Sequence, residues 1–376
     1  MSTPACHRLT RPELQGVFDA LHRRGFELIG PILRDEALAF GPIHHLDDIA
    51  SGWRAETGPG RYRLQPRDDG RLFGAIVGPD SLKKFLHPSR VRLLRAQRSN
   101  GTFQILNETK EPPKRAFIGV RPCDAAALAR HDRIFTDDQY VDDVYAARRS
   151  RAFLVVVQCT ESADTCFCES MNSGPRAEAG FDLALTERAA GETTEFLVEV
   201  GSPEGAAVLE EVQAQAAPKS WLKEGREATQ AAGAAQSRRL PLDQATAVID
   251  AGFDNALWDE VATRCLACGN CTSSCPTCFC VNMEDRSNVD GTVAERWRVW
   301  DSCFNQQFTY IHGGVIRFSV KARYRQWLSH KLGRWKEQFG AEGCVGCGRC
   351  ITWCPGHIDI TEEFSKLRTA VSGGVR

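Results

Sequence analysis

A chain of 376 residues with 47 Lys and Arg against 48 Asp and Glu carries almost no net charge, so it offers no field to draw in nucleic acid or an anionic membrane surface. No apolar run approaches the roughly 18 residues of a membrane span, and residues 1–11 lack the apolar stretch of a secretion signal. A cytoplasmic protein with neither nucleic acid nor membrane among its partners is expected, and in that compartment sixteen cysteines point to metal or redox chemistry rather than disulfides.

The length suits two domains of about 100 to 200 residues each. Through residues 1–200, short apolar runs at 72–77, 116–120 and 152–157 predict buried strands, while 125–130 and 145–149 have helix-forming composition. Strand and helix thus alternate as in a mixed α/β domain. Residues 201–245, rich in Ala, Gln, Glu and Lys with scattered Gly and Pro, predict a loose helical connector.

Residues 246–376 show helical periodicity, with Leu257, Trp258 and Val261 before one group of cysteines and Tyr324, Trp327, Leu328, Leu332 and Trp335 before another. A mainly α-helical domain is expected here. Lys321, Arg323, Arg325, Lys331, Arg334 and Lys336 read as its solvated face rather than as a docking surface for an acidic partner.

Within that domain one spacing occurs twice, as Cys265-x2-Cys268-x2-Cys271-x3-Cys275-Pro276 and Cys344-x2-Cys347-x2-Cys350-x3-Cys354-Pro355. Three thiolates two residues apart can wrap one face of a 4Fe-4S cube, and in two-cluster ferredoxins the fourth cysteine of each run serves the other cluster. The first cluster is therefore assigned Cys265, Cys268, Cys271 and Cys354, and the second Cys344, Cys347, Cys350 and Cys275. Gly269, Gly346 and Gly348 permit the close backbone approach such loops need. Structural zinc also uses Cys-x2-Cys pairs, but two full four-cysteine runs, each closed by Cys-Pro, favour iron–sulfur. The fold class is an N-terminal mixed α/β domain, a connector, and an α-helical dicluster ferredoxin domain whose folding depends on iron.

Cys123 follows the strand-like run 116–120, and Cys159 follows 152–157. If these are neighbouring parallel strands, both thiols sit at the sheet edge where α/β folds bind ligands. With Cys166 and Cys168 they form a candidate third 4Fe-4S site, weighed against small buried residues. A helix starting near Asp124 would lower the pKa of Cys123.

The loop Cys159-Thr-Glu-Ser-Ala-Asp-Thr-Cys-Phe-Cys168 matches Cys271-Thr-Ser-Ser-Cys-Pro-Thr-Cys-Phe-Cys280 at seven of ten places, so Cys278, Cys280 and Cys303 are alternative ligands of the third site. Cys6 lies in a frayed terminus. Catalytic thiol chemistry at Cys166-x-Cys168 and Cys278-x-Cys280, as in a disulfide-reducing iron–sulfur enzyme, is a competing reading. No Gly-x-Gly-x-x-Gly after a strand, no phosphate loop and no His-Glu-x-x-His occurs, so no nucleotide, flavin or zinc-protease site of its own is expected.

Taken together, Gly119-Val-Arg-Pro-Cys-Asp124, the loop 159–168, the run from Cys265 ending Cys-Pro-Thr-Cys-Phe-Cys280, Trp300-Asp-Ser-Cys303 and the run from Cys344 to Pro355 resemble the β subunits of cytosolic NAD(P)-linked nickel–iron sulfhydrogenases. The A subunit of anaerobic sulfite reductase is also similar. The resemblance spans most of the chain. It implies an electron-transfer subunit of a hydrogenase complex, relaying electrons between a flavin-containing NAD(P)H-binding subunit and the small and large hydrogenase subunits. An electron-transfer subunit of an anaerobic sulfite or sulfur reductase is the alternative it leaves.

Overall fold

The two runs expected as neighbouring strands are parallel partners inside an eight-stranded sheet in the computed structural model, which describes residues 6–76, 78–106, 111–137, 139–190 and 193–373. In chain order the strands are β1 (Cys6–Thr10), β2 (Glu27–Arg34), β3 (Ala37–Pro42), β4 (Trp53–Gly58), β5 (Arg61–Pro66), β6 (Arg90–Ser99), β7 (Thr102–Leu106), β8 (Arg115–Val120) and β9 (Ala152–Val157). After them come β10 (Leu183–Ala190), β11 (Thr193–Val200), β12 (Gln215–Ala216), β13 (Val281–Ser287) and β14 (Val293–Trp300).

The large sheet runs β12-β1-β11-β10-β9-β8-β2-β3, with β2, β8, β9 and β10 parallel and antiparallel strands at both margins. Its central strands bury both faces, as parallel strands do. Ile118, Phe153 and Val155 pack with the helix Arg11–Arg23, while Phe117, Leu154 and Val156 pack with the helices Pro122–Phe135 and Asp143–Arg149. Gly119 has φ +78° at the bulge between β8 and β9, where a Cβ would stand 3.0 Å from the Phe73 ring, so only glycine suits this turn toward the helix that carries Cys123.

Three expectations give way to tertiary structure. Residues 72–76 form no strand, and Val77 lies outside the described residues. Their backbone groups are taken by side chains: Leu72 and Phe73 N–H donate to the Glu187 carboxylate at 2.5 and 3.2 Å, and the Arg121 guanidinium donates to the carbonyls of Phe73 and Ala75, both at 2.6 Å. The stretch 201–245 is no loose connector. Its helix Pro203–Glu211 is N-capped by Ser202 and buries Val208 and Leu209 in the sheet's core, and β12 closes the sheet edge beside β1.

The C-terminal part, expected to be mainly α-helical, also holds strands, because β13 and β14 form a hairpin whose second strand pairs antiparallel with β6 in a four-stranded sheet, β13-β14-β6-β7. The remainder follows the helical reading, with Leu257–Arg264, Val320–Ser329 and Ile360–Gly373 enclosing Trp258, Val261, Tyr324, Trp327 and Phe364. Phe167 and Met171, from the loop after β9, belong to this same core, so the two halves of the chain share it.

Candidate metal centres

Each ferredoxin-like run is a tight loop followed by a single helical turn, Asn270–Ser273 or Arg349–Thr352. In both, the residues flanking the middle cysteine are left-handed: Ala267 (φ +49°) and Gly269 (φ +77°), then Gly346 (φ +61°) and Gly348 (φ +73°). The second run needs glycine for space as well, since a Cβ on Gly346 would meet the Phe167 backbone at 2.6 Å and one on Gly348 the Thr165 carbonyl at 2.3 Å. Gly346 instead accepts the Phe167 N–H at 2.9 Å, and the 159–168 loop is thereby laid directly against the second run.

Cys265, Cys268, Cys271 and Cys354 line one cavity, closed by Leu266, Phe304, Tyr324 and Trp327. Cys275, Cys344, Cys347 and Cys350 line another, with Phe167, Trp327 and Lys331. Cys350 borders both. A third cavity, at the C-terminal ends of β8 and β9, is lined by Cys123, Cys159, Cys166 and Cys168 together with Arg121, and Cys347 reaches it from the second run. The three cages are therefore contiguous, joined by Cys347 and Cys350. Cys278, Cys280 and Cys303 do not join the third cage, and Cys6 lies on β1, away from all of them. Among the described residues no three His, Cys, Asp or Glu side chains converge to hold a single metal ion.

The surroundings fit a 4Fe-4S cube. Burial pushes the Cys271 and Cys350 thiols well above their ordinary value, and those of Cys344 and Cys166 up to about 12. Cys123 is in the first turn of its helix, yet its pKa is raised rather than lowered, because burial and the adjacent Asp124 carboxylate outweigh the helix terminus. Thiolates here require a cation to form, which iron supplies. Buried donors with no partner among the described residues also border the cages: the Tyr324 hydroxyl beside the first, and the Trp327 indole N–H beside the first and second. Cluster sulfur accepts from such donors. Backbone N–H groups of Gly346 and Ile358 already donate to the Sγ atoms of Cys344 and Cys354 at 3.3 and 3.4 Å.

Several charged residues that spacing alone does not reveal hold these cages. Arg349, between Cys347 and Cys350, makes a bidentate ion pair with Asp124 at 2.7 and 2.9 Å, both groups buried, and donates to the Gly78 carbonyl. Lys331 is buried rather than solvated, and its ammonium donates to Thr277 Oγ1 at 2.7 Å and the Gly343 carbonyl at 3.0 Å. Burial opposes its charge, but the thiolates of Cys275, Cys278 and Cys344 hold its pKa well above the ordinary value. Lys83, also buried, donates to the carbonyls of Thr272 and Ser273, both at 3.1 Å. The neighbouring Lys321, Arg325 and Arg334 pair with Asp259, Asp254 and Asp250 on the surface.

The family described as "4Fe-4S dicluster domain" matches residues 264–358. The chain carries a 4Fe-4S dicluster domain. Over 346 residues, 90% of this chain and 91% of the relative, the sequence is 27% identical to "Sulfhydrogenase 2 subunit beta" of Pyrococcus furiosus. No solved structure matches the chain. No helix among the described residues is long and apolar enough to cross a membrane. The dicluster domain supports iron–sulfur clusters, and the residues around its thiols decide how those clusters are insulated and charged.

Proposed function

We propose that this chain is the iron–sulfur electron-transfer subunit of a hydrogenase complex, relaying electrons between a flavin-containing NAD(P)H-binding subunit and the nickel–iron hydrogenase subunits. The observation that carries this reading is the row of three contiguous thiol cages, in which Cys347 and Cys350 each border two. Electron transfer weakens steeply with distance, so neighbouring cages make a continuous path. Similarity to a sulfhydrogenase β subunit along nearly the whole chain supports the choice of complex.

In this reading Cys265, Cys268, Cys271 and Cys354 hold one 4Fe-4S cluster, Cys344, Cys347, Cys350 and Cys275 a second, and Cys123, Cys159, Cys166 and Cys168 a third. The clusters, when bound, supply one-electron redox chemistry. The protein's own residues set the conditions for it. Trp327, Phe304 and Phe167 exclude water, Lys331 and Arg349 offset the negative charge of the thiolates, and Tyr324 offers a hydrogen bond.

The purified chain, kept free of oxygen, is expected to show reducible clusters by EPR and no hydrogen uptake with a dye acceptor, and to gain NAD(P)H-linked hydrogen uptake when its flavin and hydrogenase partners are added. Hydrogen uptake by the chain alone would overturn the assignment.

A further inference from the structure

Cys278, Cys280 and Cys303 line none of the three cages. Cys280 ends the segment before β13, where the hairpin register places Val281 opposite Trp300 and lets Asp301 N–H donate to the Cys280 carbonyl at 2.9 Å. That register brings Cys303 close to Cys280. Cys280 and Cys278 line a fourth cavity, of about 220 Å³, with Lys83, Thr272, Ser273, Asp301 and Ser302. Its walls are mostly polar, unlike those of the apolar cages, and it is large enough for a small solute. Cys268 borders both this cavity and the first cage.

A second observation concerns charge. Lys83, which lines this cavity, is ion-paired to no carboxylate among the described residues, although it is buried. A buried ammonium group needs an anionic partner, and here the groups facing Lys83 are the thiols of Cys278, Cys275 and Cys280 and the cavity itself. Hydrogen bonding from Cys303, together with the Lys331 charge, also brings Cys280 down to about 7.

We propose that Cys280 and Cys303 form a redox-active dithiol that reduces a small anionic organic disulfide bound in the Lys83 cavity. The Cys280 thiolate attacks one sulfur of the disulfide, forming a mixed disulfide and expelling one thiolate. Cys303, losing its proton, then attacks the Cys280 Sγ, which closes a Cys280–Cys303 disulfide and expels the second thiolate. Two electrons and two protons from a low-potential one-electron donor restore the dithiol, so the net change is one disulfide to two thiols. This donor rests on the electron-transfer reading above, whereas the first half-reaction does not need it.

The test uses the reduced, oxygen-free holoprotein and the dianionic aromatic disulfide 5,5′-dithiobis(2-nitrobenzoate), followed by absorbance of the released thiolate and by peptide mass mapping, with iron counted in the same samples. The proposal expects a fast release of two thiolates per chain and a Cys280–Cys303 cross-link with no iron lost. Cys303→Ser should release one and retain the aromatic thiol on Cys280. Lys83→Met should slow the anionic probe about tenfold relative to the neutral 4,4′-dithiodipyridine. Wild-type holoprotein in which Cys280 and Cys303 stay unlabelled, or Cys303→Ser with about four fewer irons, would overturn it, since the thiols would then be cluster ligands. Normal labelling in a protein without clusters would instead leave the dithiol standing and remove the electron-transfer reading.

Discussion

Arg349 and Asp124 form a bidentate ion pair, at 2.7 and 2.9 Å, that ties the second ferredoxin-like run to the helix bearing Cys123. The two residues are 225 positions apart, and each lies within two residues of a thiol that borders a cage. The pair therefore links the sheet-edge cage to the dicluster domain and shares the electrostatics of both.

Removing one partner of a fully buried ion pair strands the other charge, which typically costs about 3–5 kcal/mol. Arg349→Met is expected to destabilise the holoprotein by about that amount in oxygen-free denaturant titration. The double variant Arg349→Met, Asp124→Leu should recover most of the loss. A loss in Arg349→Met below about 1 kcal/mol would show that the pair does not hold the two parts together.

The Tyr324 hydroxyl borders the first cage and has no partner among the described residues. A donor to cluster sulfur stabilises the more negative, reduced state, so its removal lowers the potential. With a net hydrogen bond near 1 kcal/mol, Tyr324→Phe should lower one cluster's midpoint by about 40 mV in EPR-monitored redox titration and leave the others in place. An unchanged set of potentials would show that the hydroxyl does not reach the cluster.

Two histidines make stability pH-dependent. Burial lowers His131 from 6.5 to about 3 and His87 to about 4. In the unfolded chain both protonate below about pH 6.5, while in the folded chain they stay neutral until far lower pH. Their contribution is complete above about pH 6.5 and is lost as the pH falls toward the folded values. The thermal midpoint should fall between pH 7 and 5.5, and His131→Leu should flatten that slope. An equal slope in the variant would place its origin elsewhere.

The parts of this structure written locally were the parts legible in sequence. The parallel strands β8 and β9 have short apolar runs closed by turns, and the paired cysteine runs carry their geometry in their spacing, including the left-handed positions at Gly269, Gly346 and Gly348. What escaped depends on distant partners. Residues 72–76 have strand-like composition, but Glu187 and Arg121 occupy their backbone groups. The hairpin of β13 and β14 is mixed in polarity and is fixed by β6, about 200 residues earlier in the chain. Lys331 sits among basic residues that are solvated, and the Thr277 and Gly343 acceptors and the thiols of Cys275, Cys278 and Cys344, brought close by the fold, explain why it turns inward.

Iron and acid-labile sulfide counted on the oxygen-free protein, together with alkylation of its cysteines before and after iron is stripped, test the three-cage account most directly. The account predicts about twelve irons per chain, with Cys123, Cys159, Cys166 and Cys168 shielded until iron is removed along with the eight dicluster cysteines. About eight irons with those four thiols freely alkylated, or zinc in place of iron, would contradict it.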